Sequence, residues 1–446
     1  MTRVLVVGGG GREHALVRAL RRSPAAPEVL CVPGNAGIAR DGVRCLDVPA
    51  DDTRRLVAAA RAEGCELAVV GPEAPLVAGI VDQLADARTR AFGPMAGAAR
   101  IEGSKAYAKE VMRAAGVPTA DHTVLRDRES ALAALEGTDY PLVLKADVLA
   151  AGKGVVVCEG EGEARAAIEG FFGERRFGAT TVVLEEFLVG EELSLLALCD
   201  GEHAVPMTPA RDYKRIGDGD EGPNTGGMGS YSPVPEIHPD RVEELTRFIH
   251  QPVIDELRHR GTPYHGVLYA GLMLTSDGPR VLEFNCRFGD PETQAILPRL
   301  RSDLLTALEA SVRPGGLAEV ELEWSDEAAV TVVLASRGYP QSSSRGDLIE
   351  GVEEAEALEG VEVLHGGTAD DGTGGLVTAG GRVLNATALA PTLAGARERA
   401  YAAAERIRFD GLQLRRDIAA EAAEDARRTA GADARAGAAA AQGVRA

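Results

Sequence analysis

The feature that most constrains this chain is a four-residue apolar run, Val4–Val7. It breaks at once into four glycines, Gly8 to Gly11, and then into a helical pattern over Glu13–Arg21. A run without polar alternation suits a strand buried on both faces, and such strands belong to parallel sheets covered by helices. The alternation continues along the chain. Glu28–Val32, Leu67–Val70 and Ala91–Phe92 read as strands, with Asp52–Glu63 and Leu76–Ala87 as helices between them. The pattern predicts an α/β domain over residues 1–100, built as a doubly wound parallel sheet.

The glycines suggest a dinucleotide fingerprint, G-x-G-x-x-G, but the spacing fails. Counted from Gly8 the third glycine position is Glu13, and counted from Gly9 it is His14. No acid closes the second strand, where Val32-Pro33-Gly34 stands. What remains is a glycine loop opening a helix. Its free N–H groups and positive dipole end suit one phosphate, with Arg12 as a bidentate partner. A tight strand-to-helix turn alone fits the same letters.

Two further motifs carry charge. Ala150-Ala151-Gly152-Lys153-Gly154 resembles a P-loop, yet Gly154 replaces the magnesium-binding Ser/Thr and Asp147 stands where the first glycine belongs. It lies between the strand-like runs Leu142–Lys145 and Val155–Cys158, so it reads as a flap over phosphates or as a simple hairpin turn. In Glu283-Phe284-Asn285-Cys286-Arg287, residues two apart share a strand face. Glu283, Asn285 and Arg287 then point one way, and Phe284, Cys286 and Phe288 point into the core. Oxygen donors beside a cation suit a magnesium–phosphate site, although an exposed strand edge with an ion pair is the plainer reading.

Composition narrows the partners. The 446 residues hold 48 Lys plus Arg against 68 Asp plus Glu, for a net charge of −20. An acidic surface repels nucleic acid and anionic membranes, but a small phosphorylated substrate needs only a local cationic pocket. The acidity fits a high-salt cytoplasm and ordinary solubility equally. The six cysteines contain no C-x-x-C pair and read as reduced core thiols. No apolar run reaches the ~18 residues of a membrane span, and Val4–Val7 is too short for a signal sequence, so a cytoplasmic location is expected.

Beyond about residue 94 the pattern changes. A helix over Ala96–Ala115 is followed by hairpin-like pairs, Leu142–Lys145 with Val155–Cys158 and Val182–Phe187 with Leu193–Cys199. The Gly-rich stretch Ile216–Ser230 reads as a long loop, and such loops are usually functional. Strands Gly266–Thr275 and Arg280–Arg287 follow. A third unit has strands Ala329–Ala335, Val361–Leu364 and Val383–Leu389 and a helix from about Thr392 to Arg408. Past 420 the chain is Ala- and charge-rich, as in a frayed helix or disordered tail.

Taken together, GGGREHA (Gly9–Ala15), VPGNAG (Val32–Gly37), GPEAPL (Gly71–Leu76), IEGSKAYAK (Ile101–Lys109), LKADVLAAGKGVVV (Leu144–Val157), EEFLVGEELS (Glu185–Ser194), GPNTGGMGSYS (Gly222–Ser232), GVLYAGLM (Gly266–Met273) and VLEFNCRFGDPETQ (Val281–Gln294) resemble the phosphoribosylamine–glycine ligase family of the ATP-grasp superfamily. The resemblance spans most of residues 1–420. It implies a substrate domain at 1–100 and a two-lobed ATP-grasp core at 101–325, with a small ATP lobe at about 119–192. A C-terminal α+β domain at 326–420 and a tail at 421–446 complete the expectation. The implied reaction joins glycine to 5-phosphoribosylamine with ATP and Mg2+ or Mn2+, through glycyl phosphate, to give glycinamide ribonucleotide for purine synthesis. The implied protein is a monomer, or a weak dimer, without nucleic-acid or membrane partners.

The same resemblance implies roles. Glu185, Phe187 and Leu188 form the adenine hinge and Glu192 holds the ribose. Lys105 and Lys145 contact ATP phosphates, with Gly152, Lys153 and Gly154 on the flap. Glu283 and Asn285 ligate the metal. Asp212, Lys214, Thr225, Gly226, Arg287 and Asp290 surround glycine and the acyl phosphate. Lys145, Lys153, Asp212, Lys214 and Arg287 are the expected catalytic set. Gly10, Gly11, Arg12, Glu13, Asn35 and Glu73 receive phosphoribosylamine. Departures from the family pattern are Val148 for a usual Gly, Gly9 for Asn or Ser, and Arg211 and Tyr213 for Gln and His. No second acid lies on Gly266–Thr275. The alternatives are another ATP-grasp ligase or purine-pathway carboxylase, and a nicotinamide oxidoreductase, which the broken fingerprint opposes.

Overall fold

The structure is a computed structural model that describes residues 2–150, 154–178, 181–426 and 428. Its first domain is a five-stranded sheet in the order β3-β2-β1-β4-β5. The strands are β1 (Arg3–Gly8), β2 (Glu28–Pro33), β3 (Arg44–Cys45), β4 (Leu67–Val70) and β5 (Arg90–Phe92). All pairings are parallel. Leu5 and Val7 of β1 join one buried cluster and Val4 and Val6 another, which is why the run carries no polar alternation. The connecting helices are α1 (Gly11–Arg21), α2 (Ala36–Arg40), α3 (Thr53–Ala62), α4 (Glu73–Val77) and α5 (Ile80–Asp86). The single helix expected over Leu76–Ala87 is two, because Gly79 takes a left-handed φ of 80° that only glycine adopts readily. The helix expected over Ala96–Ala115 is also two, α6 (Ala96–Gly103) and α7 (Lys105–Ala115). Ser104 breaks it in an extended conformation, with its hydroxyl capping Tyr107 N.

The small lobe is a four-stranded sheet, β6-β9-β7-β8, of His122–Leu125 (β6), Leu142–Ala146 (β7), Val155–Cys158 (β8) and Val182–Glu186 (β9). β7 and β8 form the expected hairpin. The other expected hairpin does not exist. β9 stays in the small lobe, whereas β10 (Glu191–Asp200) enters a separate sheet with β11 (Ala204–Pro206). The link from Phe187 to Gly190 therefore crosses between lobes, and apolar runs alone could not show which strands they pair with.

The stretch Ile216–Ser230 is not a structureless loop. After β12 (Arg211–Asp212), it contributes to β13 (Arg215–Gly217), β14 (Glu221–Asn224) and β15 (Gly229–Ser232). The large-lobe sheet is completed by the antiparallel pair β16 (His265–Thr275) and β17 (Gly278–Asn285). β18 (Ala328–Ala335), β20 (Val361–His365) and β23 (Arg382–Ala390) form the C-terminal sheet, which β12 and β15 extend in the order β12-β15-β18-β23-β20. β19 (Leu348–Ile349), β21 (Thr368–Asp370) and β22 (Leu376–Thr378) make a small separate sheet. A long helix, Leu393–Ala404, capped by Thr392, packs on the C-terminal sheet. Residues 420–426 are helical, and the remainder of the expected tail, from 429 on, lies outside the described residues. No helix among the described residues is long and apolar enough to cross a membrane. All six cysteines are free thiols, five of them buried.

Candidate active site

The core of the site lies where the small lobe meets β17. Lys145 on β7 and Glu185 on β9 are diagonal neighbours across an antiparallel pair, so their side chains share a face. Lys145 Nζ is 2.8 Å from Glu185 Oε2 and donates to Leu282 O at 3.1 Å. The other carboxylate oxygen, Oε1, is 3.0 Å from Lys109 Nζ. All three side chains are buried. Glu185 thus faces the lysines. The link that crosses between the lobes carries exposed Phe187 (40% exposed) and Val189 (76%), with half-buried Leu188 between them.

Lys105 opens α7, and its ammonium donates to Val148 O at 3.0 Å. Asp147 fixes this junction. It accepts from Ala106 N at 3.0 Å, Ser104 Oγ at 3.0 Å and Thr181 Oγ1 at 2.9 Å. An acid at the first turn of a helix is favoured by the dipole, so the letter that spoils the P-loop pattern ties the end of β7 to the start of α7. Gly154 O accepts from Ala146 N at 2.8 Å and closes the hairpin. Gly152 and Lys153 lie outside the described residues.

Glu283 lies in the field of four cations. Burial pushes its carboxyl up, but Lys214, Lys145, Lys105 and Arg287 outweigh it and hold the group below its ordinary range. Burial pulls the Lys105 ammonium down, with Glu283 opposing. Asn285 Oδ1 accepts from Arg287 Nη2 at 3.3 Å. Phe284, Cys286 and Phe288 are buried, so the alternation read from the sequence holds. Glu283 and Asn285 offer two hard oxygen donors two residues apart, beside cations that phosphates would neutralise. The pair fits a magnesium bound largely through phosphate oxygens. Among the described residues no cluster of three or more His, Cys, Asp or Glu forms a metal site without phosphate.

On the other side of this centre, Lys214 pairs with Glu192, and burial of its ammonium is outweighed by Asp212, Glu192 and Glu283, which hold it well above its ordinary range. Half-buried Asp212 is pushed up to about 7, chiefly by burial, with Glu292 and Glu192 adding and Lys214 opposing. Ser194 Oγ lies 3.5 Å from Asp212 Oδ1 and 3.2 Å from Glu292 Oε1, and Tyr269 Oη donates to the same Glu292 oxygen at 2.7 Å. Arg211 is turned to Glu191 and the Glu192 carbonyl, and Tyr213 Oη accepts from Ala419 N, so the two departures around Asp212 make contacts within the fold. Thr225 Oγ1 donates to Lys214 O at 2.8 Å and accepts from Gly227 N at 2.9 Å.

Arg287 links this centre to the first domain. Its guanidinium lies 3.2 Å from Glu73 and 3.3 Å from Glu102, and Glu102 also accepts from Cys286 N at 2.7 Å. Arg12 is buried, with Nε on Glu13 Oε1 at 2.6 Å and Nη1 on Phe288 O at 3.2 Å, and Glu13 Oε2 accepts from Gly10 N at 2.6 Å. Asn35 uses both amide hydrogens on Gly9 O and His365 O and caps α2 through Ile38 N. Both Arg12 and Asn35 thus fix the glycine loop from behind.

A cavity of about 230 Å³ opens over that loop. Gly9, Gly10 and Gly11 form one wall, and Asp290, Gly366, Gly367, Arg382 and Asn385 form the other. Arg382 pairs with Asp290 at 3.0 Å and also donates to Gly226 O and Asp290 O. Sequence reasoning missed Lys109, Glu102, Glu292, Arg382 and Asn385. The first three sit inside motifs already quoted, and Lys109 lies one helical turn from Lys105. Nothing local marks Arg382 or Asn385.

The two-lobed core with lysines facing a strand acid defines an ATP-grasp protein. Biotin carboxylase shares this fold: the domain from Hydrogenobacter thermophilus 2-oxoglutarate carboxylase superposes with a TM-score of 0.71 at 19% identity, over 93% of this chain and 91% of that one. The chain belongs to the phosphoribosylglycinamide synthetase family, whose N domain matches residues 2–102, ATP-grasp (A) domain 103–293 and C domain 329–421. It is 52% identical to a phosphoribosylamine–glycine ligase of Streptomyces coelicolor over 424 residues, covering 94% of this chain and 99% of that protein. The crystal structure of the Thermotoga maritima phosphoribosylamine–glycine ligase superposes with a TM-score of 0.80 at 36% identity, over 94% of this chain and all of that one.

Proposed function

We propose that this chain joins glycine to 5-phosphoribosylamine with ATP, as a cytoplasmic enzyme of purine synthesis acting on small molecules. The γ-phosphoryl group of ATP passes to a glycine carboxylate oxygen, giving glycyl phosphate and ADP. The amine of phosphoribosylamine then attacks the acyl carbon, and the carbon–oxygen bond to phosphate breaks. The products are glycinamide ribonucleotide and phosphate.

The observation that carries this reading is the convergence on Glu283 of Lys105, Lys145, Lys214 and Arg287, drawn from four separate segments. Such a centre neutralises the charge of a transferring phosphoryl group and holds the partners in place, which is most of what this chemistry requires. Glu283 and Asn285 would hold Mg2+ or Mn2+, which supplies charge neutralisation on the phosphate oxygens. Lys105 and Lys145, with Lys153, Gly152 and Gly154 of the flap, would meet the ATP phosphates. The adenine would lie against Phe187 and Leu188. Asp212, Lys214, Thr225, Gly226 and Arg287 would receive glycine and its acyl phosphate, and Glu192 the ribose.

Phosphoribosylamine would enter the cavity over Gly10 and Gly11, where the start of α1 offers N–H groups to the 5-phosphate. Asp290 and Arg382 would close it, with Glu73 near the amine, while Arg12, Glu13 and Asn35 hold the loop. The test is ADP release with glycine and freshly prepared phosphoribosylamine omitted in turn. Release should need both. ADP formed at full rate without phosphoribosylamine or glycine would refute the assignment.

A further inference from the structure

Lys109 is a buried cation that the proposed reaction does not use. It lies on α7 one turn after Lys105, with its side chain 3% exposed. The Glu185 carboxylate is shared, one oxygen 3.0 Å from Lys109 Nζ and the other 2.8 Å from Lys145 Nζ. Lys109 also donates to Thr119 Oγ1 at 2.7 Å, and Thr119 donates to Val281 O on β17 at 2.6 Å. Burial draws the Lys109 ammonium below its ordinary range, with Glu185 opposing.

The charge count gives this arrangement a consequence. Two ammonium groups and one carboxylate leave one net positive charge. If Lys109 were absent, Lys145 and Glu185 would form a neutral pair, and in a low-dielectric site a neutral pair attracts a phosphate weakly. Thr119 adds a mechanical link, because it ties the same lysine to the strand that bears Glu283 two residues on. We propose that Lys109 is a positioning residue for nucleotide binding: by sharing Glu185 it keeps the charge of Lys145 available to ATP phosphates, in register with β17. This rests on the assignment of Lys145 to those phosphates.

The experiment measures the Kd of a non-hydrolysable ATP analogue with magnesium, and the KM for ATP, on the full chain. Lys109→Met should weaken analogue binding about tenfold or more and raise the KM for ATP more than it lowers kcat. Lys109→Arg, which keeps the charge, should stay close to the parent. The decisive variant is Lys109→Met with Glu185→Gln, which restores the net charge of one; it should recover most of the affinity lost in Lys109→Met. A lysine that matters only for packing would not show that recovery, so equal weakness of the single and double variants would overturn the proposal. Parent-like binding by Lys109→Met would overturn it too. If Lys109→Met fails to fold, the double variant decides alone: near-parent affinity supports the proposal and affinity as poor as that of Lys145→Met contradicts it. Lys145→Met separates the two claims. Parent-like binding by that variant would remove the phosphate assignment itself and this inference with it.

Discussion

At Lys145 a charged side chain is held in place before any ligand arrives, by Glu185 and the Leu282 carbonyl. Lys145→Met should therefore keep the fold and cripple turnover, losing about 2–4 kcal/mol of transition-state stabilisation as kcat/KM. Turnover at the parent rate would show that Lys145 is not a phosphate ligand. Asp212 gives a pH test. Its folded carboxyl is pushed up to about 7, above the ordinary value of 3.8, so the folded state binds this proton more tightly than the unfolded one. The resulting stability is present below the unfolded value and is lost as pH rises toward 7. Asp212→Asn should gain stability relative to the parent between pH 4.5 and 7.5, measured as denaturant midpoints at matched pH. A constant difference across that range would contradict the placement of Asp212. Much of this scale was legible in the sequence, since Lys145, Glu283 and Asn285 stand in motifs whose spacing sets their direction. Arg382 was not, because its partner Asp290 is 92 residues away and no local pattern joins them.

Among the elements, those defined by local pattern were read with near-correct bounds: β1, β2, β4, the β7–β8 hairpin and the helix capped by Thr392. Those defined by distant partners were misread. β15, a Gly-Ser-Tyr-Ser strand of low intrinsic propensity, exists because it pairs with β18 about a hundred residues on. β10 pairs not with β9 but with β11 and with β16, and β16 lies beyond the Gly-rich segment. The start of α1 shows what such distant packing demands of one residue. A Cβ on Gly11 would stand 2.3 Å from Asn385 Nδ2 and 2.7 Å from Gln294 Nε2, both buried side chains. Gly11→Ala gains about 1 kcal/mol of helix propensity but meets overpacking worth about 1–3 kcal/mol. The clash should win, so urea unfolding should show a net loss of stability, and the KM for phosphoribosylamine should rise while that for ATP holds. An unchanged or higher midpoint would mean that the C-terminal sheet does not press on the glycine loop as described.

For the whole molecule, the important fact is that three segments far apart in sequence meet at one place. The first domain supplies the glycine loop, the ATP-grasp core supplies the cationic centre around Glu283, and the C-terminal domain supplies Arg382 and Asn385. Arg287 joins the first two through Glu73 and Glu102, and Arg382 joins the last two through Asp290. The arrangement suits a reaction in which an activated acyl group must meet an amine without water intervening. In the proposed reaction glycine is activated as an acyl phosphate and then captured by phosphoribosylamine. Glycine labelled with oxygen-18 in both carboxylate oxygens tests this directly, by mass analysis of the products of turnover with ATP, magnesium and phosphoribosylamine. The account predicts one labelled oxygen in the released phosphate and one retained in the amide of the product. Released phosphate without label would contradict it.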